Sequence, residues 1–410
     1  MCIGITNNMK ILLVNSPVFG GVEYYRMINP CNVVNEMYPE FEFTSVGGIN
    51  MDYVEIEREK FLDKETGLSK EITHPEPLRI PIDDFLKQFD LVHFCRGIDM
   101  YNEPNNAERL KRLGIPFGLD LDDYWFLPKW HILYNDYIKA NQDYAIIQAI
   151  EAAHFVTCTT PILAKSISEF NKNVHIIENG IDDRLECWHP DFERTNKMRF
   201  GFYQGTTHYE NIRLAAPDIN RLLQNDKLMQ KAQVVLAGFM AVGNDKPSFY
   251  IGYEKLLTND LTLIKNKEYR EFLYKCVNDG NEDWMNEPYW RCWGTQIDNW
   301  GYTYNFTDVS LVPMIPNTFN RHKSELKMIE AGFKGKAVIV SDENPYRILA
   351  NEDNSFLVRG KYSFYKQIKY CIENPNAVSD KANQLYQDVK ERYSLKKLAE
   401  KRKQVYERYK

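Results

Sequence analysis

At 410 residues, with 44% apolar and 26% charged side chains, the chain is too long for one ordinary core and too apolar for intrinsic disorder. Two globular domains of about 200 residues are the natural division. Its 51 basic and 57 acidic side chains leave a net charge of −6, which excludes a global pull toward nucleic acid or anionic lipid and leaves room only for a local basic cleft. No apolar run approaches the roughly 18 residues that span a bilayer. The run within residues 1–10 is too short for a secretory leader. The eight cysteines (2, 31, 95, 158, 187, 276, 292 and 371) show no C-x-x-C and no zinc spacing. They read as reduced thiols of a cytoplasmic protein, with no metal site expected.

Residues 10–15 form a short apolar strand, followed by Gly20-Gly21 and a helical stretch. Strand, glycine loop and helix open a Rossmann-like half. The two glycines let the backbone approach a ligand closely, although a plain turn uses the same residues. Residues 51–80 are charged and aperiodic and read as an insertion or long loop. The next strand is 89–95, with Arg96-Gly97 at its exit, then a helix at 105–113. A strand from 115 then runs into Asp120, Asp122 and Asp123. Alternation puts Asp120 and Asp122 on one side, with Asp123 in the loop. Carboxylates at the C-terminal end of a parallel strand lie in the ligand crevice of a doubly wound sheet. They can bind sugar hydroxyls, hold a divalent cation or cap the next turn. No histidine joins them at ligand spacing, which makes a metal the weakest of the three. Residues 137–153 read as one long amphipathic helix, 154–159 as a strand, 161–170 as a helix and 174–182 as strand plus turn. The polar stretch 182–197 reads as a linker.

The second half opens with a strand and loop at 198–208 and a helix at 211–223. Gly205, Thr206 and Thr207 offer N–H and hydroxyl donors to a phosphate. After a strand at 234–238, residues 240–300 carry four tryptophans and read as an insertion, either packed on the domain or forming an aromatic platform for a sugar or base. A strand at 305–313 leads to the stretch 319–341, which reads as loop, helix, glycine stop and buried strand. Leu326, Ile329 and Phe333 fall at i, i+3, i+7 on one apolar face, and Lys323, Lys327 and Glu330 share a polar stripe. Asn320 or Ser324 can cap the start, and Gly332 and Gly335 end the helix. A helix N-terminus beside Arg321, His322 and Lys323 suits a phosphate. Glu330, two turns in, can accept hydrogen bonds from ribose hydroxyls; a solvated stripe with a Lys327–Glu330 pair is the plainer alternative. Residues 380–410 are helical. No G-x-S-x-G, H-E-x-x-H or P-loop occurs.

The run Ser324-Glu-Leu-Lys-Met-Ile-Glu-Ala-Gly332, followed by Lys336-Ala-Val-Ile-Val-Ser341, resembles the donor-binding helix of GT-B glycosyltransferases of the family 4 type. That helix carries a Glu-x7-Glu pattern whose second Glu binds the nucleotide's ribose, while the helix start holds the diphosphate. Glu330 matches the second Glu; His322 stands where the first would be. The resemblance covers nearly the whole chain. It implies an α/β protein of GT-B fold, two Rossmann-like domains facing each other across a cleft. Residues 1–190 would form the acceptor side, joined by a C-terminal helix 385–410, and 198–384 the donor side with the 240–300 insertion. Gly20-Gly21 would face the donor's phosphates and sugar, and Tyr25-Arg26-x-x-x-Pro30 resembles a subgroup of the same enzymes. Asp122-Asp123-x-x-Phe126 and Asn179-Gly-Ile-Asp182 match further stretches of the pattern.

On this basis Asp122, Asp123 and His322 are the expected catalytic or sugar contacts. Donor binding is expected from Gly20, Gly21, Gly205, Thr206, Arg321, Lys323, Ser324, Lys327 and Glu330. Family members often place Arg and Lys in the loop where this chain has Gln204, Thr206 and His208, so Arg321, Lys323 or Lys327 would supply the charge. The implied activity is transfer of a sugar from a UDP- or GDP-sugar, with retention and with no obligatory cofactor or metal. A nucleotide-sugar epimerase and a non-catalytic sugar-nucleotide-binding protein are the alternatives, the latter suited by His322. The acceptor is open among glycan, lipid-linked sugar, protein and modified DNA base, the last not indicated by charge.

Overall fold

Strands that are apolar at successive positions need cover on both faces, and alternating strands with helices supplies it. The computed structural model describes residues 8–16, 20–49, 53–56, 78–98, 105–194, 196–203, 205–240, 248–275, 282–361 and 363–410. Most of the 51–80 stretch, Gln204 and the Thr206 side chain lie outside them, as do Cys2 and Cys276. The first sheet contains β1 (Met9–Val14) and β2 (Phe41–Val46); β3 (Tyr53–Ile56) and β4 (Leu78–Pro81) form a separate antiparallel pair. It continues with β5 (Leu91–Cys95), β6 (Phe117–Leu121), β7 (Phe155–Cys158) and β8 (Val174–Ile176). All six strands are parallel, in the order β2-β1-β5-β6-β7-β8.

The second sheet repeats the plan. It contains β9 (Met198–Phe202), β10 (Ala232–Phe239), β11 (Tyr289–Trp293), β12 (Val309–Val312), β13 (Ala337–Ser341) and β14 (Phe356–Val358). These too are parallel, in the order β11-β10-β9-β12-β13-β14. Strand order reverses between β1 and β5 in the first sheet and between β9 and β12 in the second. Crevices at such switch points, outside the carboxyl ends of the strands, are where open α/β sheets bind ligands. The loops there carry Gly20 and Arg96 on one side, and Gly205 and Asn317–Glu325 on the other.

Two elements differ from the sequence reading. The helix expected over 137–153 is two helices, Tyr134–Lys139 and Gln142–Ala152, because Asn141 takes a left-handed conformation (φ 49°) that ends the first. The 240–300 stretch is no appendage. It supplies the edge strand β11, and Tyr250, Tyr253, Leu257, Tyr269, Phe272 and Tyr289 join the core built on β9 and β10. Arg291 interrupts the apolar pattern of β11, and burial there is made tolerable by Glu254, which accepts from its Nε at 2.7 Å and Nη2 at 2.6 Å.

The end of the chain fastens the two halves together. Helix Pro375–Tyr393 packs Leu385, Val389 and Tyr393 against Met328 and Ile329, whereas Leu395–Tyr406 lays Leu395, Leu398, Val405 and Tyr406 on Met9, Ile11 and Leu13 of the first sheet. At the crossing, the Ile181 N–H donates to the Tyr393 carbonyl (3.0 Å) and the Leu395 N–H to the Ile181 carbonyl (2.9 Å). Gly180 is needed beside them, because a Cβ there would meet Leu398, Leu395 and the Tyr393 carbonyl at 2.6–2.8 Å. Beneath lies a buried polar network. Arg26 donates to both oxygens of Asp120 (2.9 and 2.8 Å) and to the Ile177 carbonyl (2.7 Å). Arg402 of the last helix donates to the Arg26 carbonyl at 2.7 Å. Asp120 is thus tied into the interior rather than offered to the cleft.

Candidate active site

The helix singled out by sequence spans Leu326–Phe333 and is buried along most of its length, from Met328 through Phe333. It starts later than expected. Asn317 caps a separate short helix, Thr318–Arg321, by accepting from the Asn320 N–H at 2.8 Å. Neither Asn320 nor Ser324 caps the main helix; Glu325 stands at that position without a side-chain cap bond. Gly335 (φ +67°) lies just past the helix end, while Gly332 lies inside the helix, where a Cβ would press on Val389 at 2.8 Å. Glu325 is buried and accepts from the Tyr393 hydroxyl (2.6 Å), which ties the helix start to the chain crossing.

Several contacts join this helix and its approach to the first domain. Lys323 Nζ donates to both oxygens of Asp123, at 3.0 and 3.2 Å. Asn179 Nδ2 donates to Ser324 Oγ at 2.7 Å. The His322 ring stacks on Tyr124 with centroids 4.1 Å apart and planes 17° from parallel. Glu330, deep in the interface, accepts from the Tyr25 hydroxyl on one oxygen (2.7 Å) and from Tyr304 on the other (2.8 Å). Neither Tyr25 nor Tyr304 is among the expected site residues, and no local spacing marks Tyr304.

Electrostatics separate the charged groups by role. Burial pushes Asp123 up, but Lys323 and Arg96 outweigh it and hold the carboxyl below its usual range. Asp122 goes the other way. Burial and then its neighbours Asp123 and Asp120 raise it, against the pull of Arg96, whose Nε lies 3.4 Å away. Arg96 itself sits in the left-handed region (φ 67°), a strained position for a side-chain-bearing residue at a strand exit. Among the described residues the side-chain partners of both aspartates are cations, and neither caps a turn.

On the opposite wall, Lys327 is half-buried and has no ion-pair partner among the described residues. Burial, helped by Lys323, pushes its amine below the ordinary lysine range, with Glu330 opposing. Burial lowers the His208 pKa, with Lys323, Lys327 and His131 adding to the effect. Its Nδ1 lies 2.9 Å from Asn211 Nδ2, and Asn211 Oδ1 accepts from Asn320 Nδ2 at 3.0 Å, which ties the 205–208 loop to the Thr318–Arg321 helix. That loop is pinned by Tyr253, whose hydroxyl donates to the Gly205 carbonyl (2.7 Å) and accepts from the His208 N–H (3.2 Å). Gly205 is exposed, with nothing among the described residues within 4 Å of where its Cβ would be.

The other expected residues are placed as follows. His322 has no nitrogen to spare: Nδ1 donates to the Thr318 carbonyl at 2.6 Å, so Nε2 accepts from the Ser166 hydroxyl at 2.9 Å. Burial also lowers its pKa, which keeps the ring neutral. In this arrangement His322 is an interdomain packing residue rather than a group aimed at a sugar. Arg321 is exposed on the short helix. The Gly20 N–H donates to Glu23 (3.1 Å), and Gly21 faces Ile297, 3.7 Å from its Cβ position, so the glycine loop meets the second domain beside the Ile297–Phe306 turn rather than at Lys323.

No protein-family model matches the sequence, and no curated protein matches it. Solved structures match almost end to end. HepE of Anabaena, in complex with UDP and glucose, superposes with a TM-score of 0.59 at 13% identity, covering 98% of this chain and 100% of its own. Sucrose-phosphate synthase of Thermosynechococcus elongatus gives 0.60 at 11% identity over 98% and 99% of the two chains. A glycosyltransferase of Rickettsia africae gives 0.58 at 14% over 98% and 99%. The chain has the GT-B fold. The facing crevices of this GT-B protein are therefore the two walls of one interdomain cleft.

Lys327 supplies a test of that cleft's electrostatics. Because its amine is displaced below the usual lysine value of about 10.4, it loses its charge earlier than other lysines as pH rises. An anion bound beside Lys327 is expected to lose affinity through the alkaline range in the wild type and less so in Lys327→Arg, as measured by titration calorimetry with pyrophosphate at pH 7 to 9.5. Parallel curves for both proteins would remove Lys327 from the anion site.

Proposed function

We propose that this GT-B protein is a glycosyltransferase that takes a UDP-sugar and passes the sugar to a hydroxyl-bearing acceptor, with retention. The observation that carries the reading is Lys327, half-buried and without an ion-pair partner among the described residues, one turn from Lys323 at the head of a helix that leads to Glu330, with the His208 loop tied to the same approach through Asn211 and Asn320. A partly buried cation is retained at a cost, and an anionic ligand offsets it. The diphosphate fits between the lysines and the 205–208 loop, with ribose hydroxyls on Glu330. UDP is favoured over GDP because HepE of Anabaena has been solved with UDP and with UDP-glucose.

The chemistry then rests on charge. As the sugar–phosphate bond breaks, negative charge grows on the leaving diphosphate, and Lys327, Lys323 and the helix start stabilise it in a partly desolvated cleft. Asp122 and Asp123, on the first-domain wall facing Arg96 and Lys323, would hold the acceptor hydroxyl in this scheme. No protein nucleophile, cofactor or metal is needed for this scheme. Among the described residues no helix is long and apolar enough to cross a membrane, and a cytoplasmic site of action is part of the proposal.

A thermal-shift panel of UDP-, GDP-, ADP- and CMP-sugars tests the donor. Ligand at 100 times its Kd adds about 2.7 kcal/mol, a shift of a few degrees. The UDP-sugars are expected to give it, and a panel with no shift would overturn the reading. The fully engaged His322 favours a second reading, a protein that binds the donor without turning it over. Release of UDP in the presence of mixed glycan acceptors separates the two.

A further inference from the structure

Both ends of the helix approach that the nucleotide needs are already occupied from the opposite domain. Glu330 receives the Tyr25 hydroxyl at 2.7 Å, and Lys323 receives both oxygens of the Asp123 carboxylate at 3.0 and 3.2 Å. The chemistry matches the ligand group for group. A hydroxyl donates to Glu330 where a ribose hydroxyl would donate, and an anionic oxygen pair faces Lys323 where a phosphate would. Lys327, which lies between the two in sequence, has no such partner among the described residues.

The geometry points to Tyr25 and Asp123 as internal stand-ins for the donor, which must be displaced from Glu330 and Lys323 before a nucleoside diphosphate can bind and which therefore set its affinity. This rests on the donor site proposed above. Tyr25 is built for the role. It lies in a π-helical turn, Tyr24–Ile28, a widened turn that recurs at functional sites. Its ring is buried among second-domain residues that include Tyr304, Met328 and Ile329, so it reaches into the donor wall rather than resting on its own domain. Burial and the nearby Glu330 raise its pKa, so the hydroxyl keeps its proton and remains a donor. Asp123 is ionised beside Lys323 and so remains a counter-anion. A binding site occupied from within has its apparent affinity reduced by the fraction of molecules in which it is free.

The test is UDP affinity, by titration calorimetry, for the wild type, Tyr25→Phe, Asp123→Asn and the double variant. Tyr25→Phe deletes one hydroxyl and keeps the ring; Asp123→Asn deletes one charge and keeps the shape. Each single change is expected to tighten UDP binding by about three- to tenfold, since each removes one competing charge-assisted contact, and the double variant should tighten it further. A merely structural role would weaken binding instead. If the wild type binds UDP and both single variants bind equally or less well, the competition is refuted while the donor site stands. If none of the four proteins binds UDP, the donor site itself is wrong and the inference falls with it. Asp123 is partly exposed, so its variant remains informative should Tyr25→Phe unfold.

Discussion

Glu330→Ala is expected to weaken binding of a UDP-sugar by about a hundredfold, the loss of two hydrogen bonds from ribose hydroxyls to a charged acceptor at roughly 1.5 kcal/mol each. It is also expected to destabilise the protein. The Tyr25 and Tyr304 hydroxyls both lose their acceptor in a site that water does not reach, at about 1–3 kcal/mol for each group left unpaired. The alanine result alone would therefore mix two effects. Glu330→Gln separates them, because its carbonyl and amide can still pair with the two hydroxyls. Urea denaturation should place Glu330→Gln near the wild type, while calorimetry should still show UDP binding about tenfold weaker, because the amide lacks the charge that strengthens the bond. Undiminished affinity in both variants would remove Glu330 from the nucleotide site.

The second large effect is on folding. Asp120→Ala leaves the Arg26 guanidinium about 1% exposed and without its carboxylate, a situation that costs roughly 3–5 kcal/mol. Thr157 also loses the acceptor of its hydroxyl, 2.6 Å from Asp120. The damage should spread to the last helix, which is anchored on Arg26 through Arg402, and appear as faster hydrogen exchange over Leu395–Tyr406. The pH dependence follows from the direction of the Asp120 shift. Burial raises its pKa, Arg26 more than reverses this, and the folded value lies below the ordinary 3.8. A depressed carboxyl stabilises the fold above its unfolded value and ceases to do so as pH falls through the folded one. The gap between wild type and Asp120→Ala should hold from neutrality to about pH 4 and shrink below it. A difference under about 1 kcal/mol at neutral pH would mean that the pair is replaceable.

The two effects are connected in space. Arg26 Nη1 also donates to Asn179 Oδ1 at 3.2 Å, and the Asn179 amide holds Ser324 at the approach to the Leu326–Phe333 helix. The fastening of the C-terminal helix and the closing of the cleft thus share one arginine. The same chain of contacts makes Asn179-Gly180 a crossing point: Gly180 leaves room for Leu395 and Leu398, and Asn179 spans the domains.

Much of the architecture was legible along the chain. Parallel strands buried on both faces leave unbroken apolar runs such as Ile11–Val14 and Ala337–Val340, and helices between them leave a 3.6-residue rhythm, both of which are local patterns. Where local pattern failed, a distant partner was the cause. β11 was hidden because Arg291 breaks its apolar run, and only Glu254, 37 residues earlier, makes that arginine acceptable in a core. The 137–153 helix was overextended because the left-handed Asn141 leaves no mark on hydrophobic spacing.

By itself the sequence determined two strand–helix repeats, a glycine loop after the first strand, and a helix carrying Lys327 and Glu330 where the second sheet opens. Those are consequences of short-range spacing. Only the tertiary structure decided what the charged groups do. Asp120, Asp122 and Asp123 are nearly indistinguishable as letters, yet Arg26 buries the first in the fold, Arg96 faces the second, and Lys323 draws the third across the cleft. Glu330 meets Tyr25, 305 positions away in the chain, and His322 loses both ring nitrogens to Thr318 and Ser166. An ionisable side chain takes its role from the charges and hydrogen-bond partners within a few ångströms, and in a two-domain protein those partners come from anywhere in the chain.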